Sequence, residues 1–174
     1  MALAVCLLFD ARSEVLVREL WSRLEDAGVA TLATHTHRRH HPHLSYAVLR
    51  RWDLTRVQES LAALPAAEPW MMSFHGTLAF PRGRAALAPA VTADMALRQW
   101  RIATALEATD AELHRHYESG QWVPHVSVAT RAQGDQLTTV VKAIADVLPL
   151  TVRVDRAALV DSATGQTWPL PHIP

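Results

Sequence analysis

Two short stretches of this chain carry residue types that can do chemistry together. One is Trp122-Val123-Pro124-His125-Val126-Ser127-Val128, and the other is His41-Pro42-His43-Leu44-Ser45-Tyr46-Ala47-Val48. Both contain Pro, His, an apolar residue and Ser in that order, and His43 and His125 stand 82 residues apart. Side chains alternate between the faces of an extended strand, so each Ser hydroxyl lies beside its own imidazole. His125, Ser127 and Ala129 then share one face, and Val126 and Val128 take the other. By the same rule Tyr46 and Val48 turn away from His43 into a core. Arg131 shares the parity of His125 and Ser127, which would let it reach a bound phosphate.

Two imidazoles and two hydroxyls facing one cleft suit acid–base chemistry at a phosphate. Histidine, with an unperturbed pKa of ~6.5, can act as base or acid near neutrality. Two are needed because the incoming and departing oxygens lie on opposite sides of phosphorus. Ser45 and Ser127 can donate to the non-bridging oxygens, where charge must be held. The residues alone do not say which histidine is base and which is acid.

The first motif follows a loop rich in histidine, His35-Thr36-His37-Arg38-Arg39-His40-His41. No Cys or carboxylate lies within it to complete a metal site of familiar type, so a solvated loop is the plainer reading. Arg38 or Arg39 could meet substrate phosphate at the mouth of the cleft. Trp122, Phe74 and Trp168 are candidates for stacking on a base, with core packing as the alternative. His75, His114, His116 and His172 have no partner signature.

These residues need elements to position them. Ala2–Phe9 is a continuous apolar run, expected as a buried strand. Asp10 is placed to cap a helix over Arg12–Ala27, which Gly28 stops. Val29–Thr34 reads as a short strand. After the first motif strand a helix spans Thr55–Leu64, ended by Pro65. Trp70–Phe80 and Ala85–Val91 form a hairpin about Pro81-Arg82-Gly83-Arg84. A long helix is expected from Thr92–Asp94 to Tyr117, with Leu97, Ile102, Leu106 and Leu113 as its core stripe. After the second motif come a helix over Gly134–Leu148, a strand over Thr151–Val160, a turn at Asp161–Gly165 and a short strand at Thr167–Leu170. Helix, strand, turn, strand therefore follows each motif. That repetition implies a pseudo-symmetric α+β fold with mostly antiparallel sheets, and no low-complexity linker divides it.

The chain's 174 residues fit one domain with a substantial core. Lys plus Arg and Asp plus Glu both total 17, so no global positive field exists to grip long duplex nucleic acid. A small or short substrate fits better. Cys6 is the single cysteine, which rules out an internal disulfide and suits a reducing cytosol. No stretch reaches the ~20 apolar residues of a membrane helix, and Ala2–Phe9 is short for a signal peptide.

Paired His-x-Ser motifs about 80 residues apart, the second preceded by Trp-x-Pro, resemble those of the two-histidine (2H) phosphoesterase superfamily. This superfamily includes the bacterial 2′-5′ RNA ligase-like proteins. The likeness extends to the apolar first strand, the Phe80-Pro81 turn and the closing hairpin. Both motifs here carry Ser where Thr is common, and the hydroxyl is retained. The resemblance implies a bilobal pseudo-twofold fold over residues 1–174, with two mostly antiparallel sheets and flanking helices around a central cleft. It implies His43 and His125 as the catalytic pair and Ser45 and Ser127 as phosphate-binding groups. It further implies metal-independent action on 2′,3′-cyclic phosphates or 2′-5′ linkages of small nucleotides or RNA ends. The expectation is a cytoplasmic monomer with no cofactor, no metal and no membrane contact. Two other readings compete: a nucleotide- or RNA-binding module with the same fold and little turnover, and a metal-dependent hydrolase using His35, His37, His40 and His41.

Overall fold

The first apolar run becomes β1 (Leu3–Phe9), buried along its whole length. Asp10 follows it and caps α1 (Ala11–Asp26), its carboxylate accepting from the Ser13 backbone N–H at 2.8 Å. Gly28, at a φ of 78°, turns the chain out of the helix, as a left-handed glycine does readily. The structure, a computed structural model, describes residues 2–174. Its remaining elements are β2 (Ala30–Thr31), β3 (His43–Arg51), α2 (Leu54–Ala62), β4 (Trp70–Phe80), β5 (Arg84–Pro89) and α3 (Ala93–Glu107). Then come β6 (Glu112–Leu113), a 3-10 turn (Arg115–Tyr117), β7 (Val126–Arg131), α4 (Gln136–Ala145), β8 (Leu150–Asp161) and β9 (Thr167–Pro169). No described helix is long and apolar enough to cross a membrane.

The order is one six-element unit used twice: strand, helix, short strand, motif strand, helix, strand. The unit runs from β1 to β4 and again from β5 to β8. It therefore begins three elements ahead of each motif strand, earlier than the repetition read from the sequence. Helix caps mark the register of the two copies. Asp10 and Thr92 accept from the backbone N–H three residues on, as does Asp53 at the head of α2.

The long helix expected to reach Tyr117 stops at Glu107. The Thr109 hydroxyl donates to the Leu106 carbonyl at 2.7 Å, and Asp110 adopts a φ of 61°. The chain then lies along β3 as β6, pairing Leu113 with Leu49 and Glu112 with Arg51. Covering that sheet edge outweighs further helix, and Leu113 is buried either way. Met95, Gln99, Ile102, Ala103 and Leu106 form the buried stripe of α3, while Leu97 is exposed.

All strand pairings are antiparallel. The two expected sheets are halves of one hydrogen-bonded network. One half runs β8-β1-β3-β6 and the other β2-β7-β5-β4. Pairing of β4 with β8 joins them on one side, and Leu44 with Val126 joins β3 to β7 on the other. Each half takes strands from both units. A main core including Phe9, Trp21, Tyr46, Phe74 and Leu87 fills the space on one side of the strands. Ala4, Cys6, Leu8 and Ala158 form a smaller buried cluster, with Val48 and Val160 against it.

A β-bulge interrupts each motif strand at the matching place. The β1–β3 register shifts between Val5 and Cys6, leaving Tyr46 unpaired on β3. The β5–β7 register shifts between Ala85 and Ala86, leaving Val128 unpaired on β7. Each extra residue flips the alternation beyond it. Tyr46 and Ala47 both enter the main core, as do Val128 and Ala129. Val48 consequently packs on the smaller cluster, not in the main core. The alternation that would align Arg131 with His125 and Ser127 is likewise broken at Val128, and Arg131 is exposed.

Candidate active site

The Leu44–Val126 pair sets the geometry of the site. Extending its antiparallel register by one residue places His43 opposite Ser127 and Ser45 opposite His125. Each imidazole thus neighbours the serine of the other motif, and all four side chains leave the same face. The prolines initiate extended backbone just ahead of each histidine, which lets the ring fold back on its own loop. His43 Nδ1 donates to the His41 carbonyl at 2.7 Å, and His125 Nδ1 donates to the Val123 carbonyl at 2.7 Å. A carbonyl only accepts, so Nδ1 carries hydrogen in both rings. Nε2 is the atom left to exchange a proton.

Two tryptophans brace the motifs crosswise. Trp122 Nε1 donates to the Ser45 carbonyl at 3.0 Å, and Trp21 Nε1 donates to the Ser127 carbonyl at 3.1 Å. Each serine backbone is held by an indole from the opposite unit. The approach to β3 is fixed through α1. Glu14 Oε1 meets His41 Nδ1 at 3.0 Å, and Arg18 donates to the His40 carbonyl at 3.0 Å. On the other side the Phe80 ring packs 4.9 Å from the His125 ring.

The two imidazoles differ electrostatically. Burial disfavours charge on His43, but the Cys6 sulfur, by charge and hydrogen bond, and the His41 carbonyl outweigh it and raise its pKa to about 9. Burial lowers the pKa of His125; the Val123 carbonyl opposes this, and the positive charges of His43 and Arg84 add to it. The pairing pattern supplies the reason for the difference. Cys6 lies opposite Ser45, with its sulfur 3.8 Å from the Ser45 hydroxyl. The residue opposite Ser127 is Ala86, which has no polar side-chain atom. A near-symmetric backbone therefore carries a sulfur under one histidine and a methyl under the other. Tyr117 adds a hydroxyl beside Ser45, its pKa raised to about 12 by burial first and Cys6 second, so it remains a neutral donor.

His43, Ser45, His125 and Ser127 are brought together, and Arg131 is not aligned with them. Sequence reasoning missed Cys6, Tyr117, Phe80 and Arg84. The Phe80-Pro81-Arg82-Gly83-Arg84 turn was a signal for the last two. Gly83 is obligatory there, since a Cβ would lie 2.0 Å from the Ala132 carbonyl oxygen. Phe74 is fully buried and cannot stack on a ligand, whereas Trp122 is half-buried at a groove.

The histidine-rich loop packs on itself. His37 and His40 rings lie 4.1 Å apart and His35 and His40 rings 5.9 Å apart. Burial, then repulsion from His37 and its neighbours, lowers His40 to about 4. Arg39 is tied to the Thr164 carbonyl at 2.7 Å. Among the described residues no three His, Cys, Asp or Glu side chains converge to hold a metal ion.

The sequence profile of the 2′-5′ RNA ligase superfamily matches residues 12–166. No curated protein matches significantly in sequence. Among solved structures, a crystal structure described as a phosphoesterase superposes with a TM-score of 0.60 at 12% identity, covering 98% of this chain and 94% of that one. Usb1 of Kluyveromyces marxianus gives 0.52 at 16% identity, covering 98% and 96%. The same yeast protein with uridine monophosphate gives 0.53 at 14% identity, covering 98% and 97%. At these identities the likeness is one of fold.

Proposed function

This chain belongs to the 2′-5′ RNA ligase superfamily of two-histidine phosphoesterases, and from that premise we propose that it is a metal-independent phosphodiesterase. Its substrates are 2′,3′-cyclic phosphates or 2′-5′ linked nucleotide or RNA ends. The observation that carries this reading is the matched pair of Nδ1–carbonyl anchors on adjacent antiparallel strands. They leave two Nε2 atoms and two hydroxyls on one face, which is what in-line displacement at phosphorus needs. The fold shared with a Usb1 solved with uridine monophosphate supports a nucleotide as occupant.

The electrostatic difference supports one division of roles. His125, disposed to be neutral, is the base: its Nε2 takes a proton from water as the water oxygen bonds to phosphorus. His43, disposed to be protonated, is the acid: its Nε2 gives a proton to the ribose oxygen whose bond to phosphorus breaks. Ser45 and Ser127 donate to the non-bridging oxygens. The roles exchange in the ligating direction. The protein works as one domain of two lobes, in the cytoplasm, and as a monomer. Phosphorus NMR of 2′,3′-cyclic nucleotides and 2′-5′ dinucleotides incubated with the enzyme and a chelator tests the proposal. Opening of the ring or scission of the 2′-5′ bond is the expected result. No conversion of either class, or conversion only on adding Zn²⁺ or Mn²⁺, would overturn it.

A further inference from the structure

The two units correspond at an offset of 82 residues: Asp10 answers to Thr92, His43 to His125 and Ser45 to Ser127. The backbone anchors of the histidines match at that offset, since His43 and His125 each donate to the carbonyl two residues ahead. The side chains of the two anchor residues do not match. His41 is gripped at its ring, whereas Val123 is 45% exposed. The grip comes from α1. Glu14 Oε1 accepts from His41 Nδ1 at 3.0 Å and from Arg18 Nε at 2.8 Å. Its Oε2 lies 3.6 Å from Arg156. Leu8 pairs with His43 on one side and with Arg156 on the other. The carboxylate therefore ties the approach to β3 to β8, across the end of β1.

Arg18 donates to the His40 carbonyl at 3.0 Å and stands 5.6 Å over the Trp21 ring. Trp21 in turn holds the Ser127 carbonyl. Glu14, Arg18 and Trp21 fall at i, i+4 and i+7, which is one face of a helix. At the same offset α3 carries Ala96, Trp100 and Ala103, none of which can brace a loop by charge. The Glu14 side chain is only 16% exposed. Burial would raise its pKa, but the hydrogen bonds from Arg18 and His41 outweigh burial and keep it lowered, so the carboxylate is ionised at neutral pH. An ionised acceptor holds its donors about twice as strongly as a neutral one. With the His41 ring and the His40 carbonyl both held, the His41 carbonyl cannot swing away from His43 Nδ1. That carbonyl keeps hydrogen on Nδ1 and fixes the direction of Nε2.

We propose that Glu14 is a positioning residue for His43, acting through His41, and that His125 has no such brace. The proposal rests on the phosphodiesterase reading for its kinetic consequence, but the brace is measurable without turnover. Proton–nitrogen NMR of the histidine rings is the first test. In the wild type His43 and His125 should both show a slowly exchanging Nδ1–H. Glu14→Ala should remove the His43 signal and keep that of His125. Glu14→Gln, whose amide oxygen still accepts from His41, should keep both. His41→Ala retains the carbonyl without the ring, and should repeat the effect from the other side of the contact. The second test is kcat and KM on a 2′,3′-cyclic nucleotide. Glu14→Ala should lower kcat roughly ten- to a hundredfold with KM little changed, the cost of a misaligned proton donor. Glu14→Gln should restore most of it. Arg23→Ala, which breaks the exposed pair of α1 with Asp146, should leave kcat unchanged. A His43 signal that survives both Glu14→Ala and His41→Ala would overturn the brace. So would joint loss of both histidine signals, or a Glu14→Gln protein as impaired as Glu14→Ala. Absence of turnover in a wild type whose His43 signal depends on Glu14 would instead overturn the catalytic reading and leave the brace standing.

Discussion

Replacing Cys6 by alanine should move one limb of the pH–rate profile and not the other. His43 is held at about 9 through the Cys6 sulfur against opposing burial. Without that sulfur only the His41 carbonyl, the weakest of these influences, resists burial, the strongest, so the pKa should fall below its ordinary ~6.5. At pH 8.5 the protonated fraction of His43 would drop from about three-quarters to about one per cent or less, a loss of roughly 75-fold or more in kcat/KM. At pH 6.5 the loss should be far smaller. Stability follows the same linkage. A raised folded-state pKa stabilises fully below ~6.5 and is lost as pH rises through about 9. Cys6→Ala should abolish this pH-dependent stabilisation. The reciprocal variant Ala86→Cys places a sulfur opposite Ser127 and should raise the acid limb, which belongs to His125. The assays are kcat/KM on a 2′,3′-cyclic nucleotide and urea unfolding, both from pH 5 to 10. A folded Cys6→Ala protein with an unmoved basic limb would refute the assignment of His43 as acid.

Other outcomes follow from the same site. His43→Ala and His125→Ala should each cost ~10²–10⁴-fold in kcat, with the double variant little worse than either. Ser45→Ala and Ser127→Ala should cost less and leave both limbs in place, since hydroxyls hold charge but move no proton here. Trp122→Phe should weaken stability by about 1 kcal/mol through loss of the bond to the Ser45 carbonyl, measurable by urea unfolding. The lowered pKa of His40, about 4, stabilises the folded loop above ~6.5 and is lost as pH falls towards 4. The hydrogen-exchange protection factors of residues 35–41 should accordingly fall below pH 6.

The pairing of the two motifs was legible because each is local: Pro, His, apolar and Ser fall within four residues, and strand alternation does the rest. Asp10 and Gly28 bounded the first helix for the same reason. The end of α3 was hidden because residues 108–117 keep an apolar position, Leu113, that fits helix and edge strand equally well. Only the bare edge of β3, over 60 residues away in sequence, decides between them. The bulges at Tyr46 and Val128 were invisible because they are properties of a strand pair. They alone displaced Val48 and Arg131 from their expected faces. The contrast between Cys6 and Ala86 depends on those registers, so no reading of either residue by itself could reach it.

The exchange of strands between the two units bears on how the chain is made. β1 leaves the ribosome before β3 and β8, yet it lies between them, and β8 ends at Asp161. At ~5–20 residues per second, roughly 8–30 s separate the emergence of Phe9 from that of Asp161. Through that interval the chain's most continuously apolar strand has one edge without a partner. A chain stalled before β8 is complete therefore exposes an apolar strand edge open to pairing with another chain.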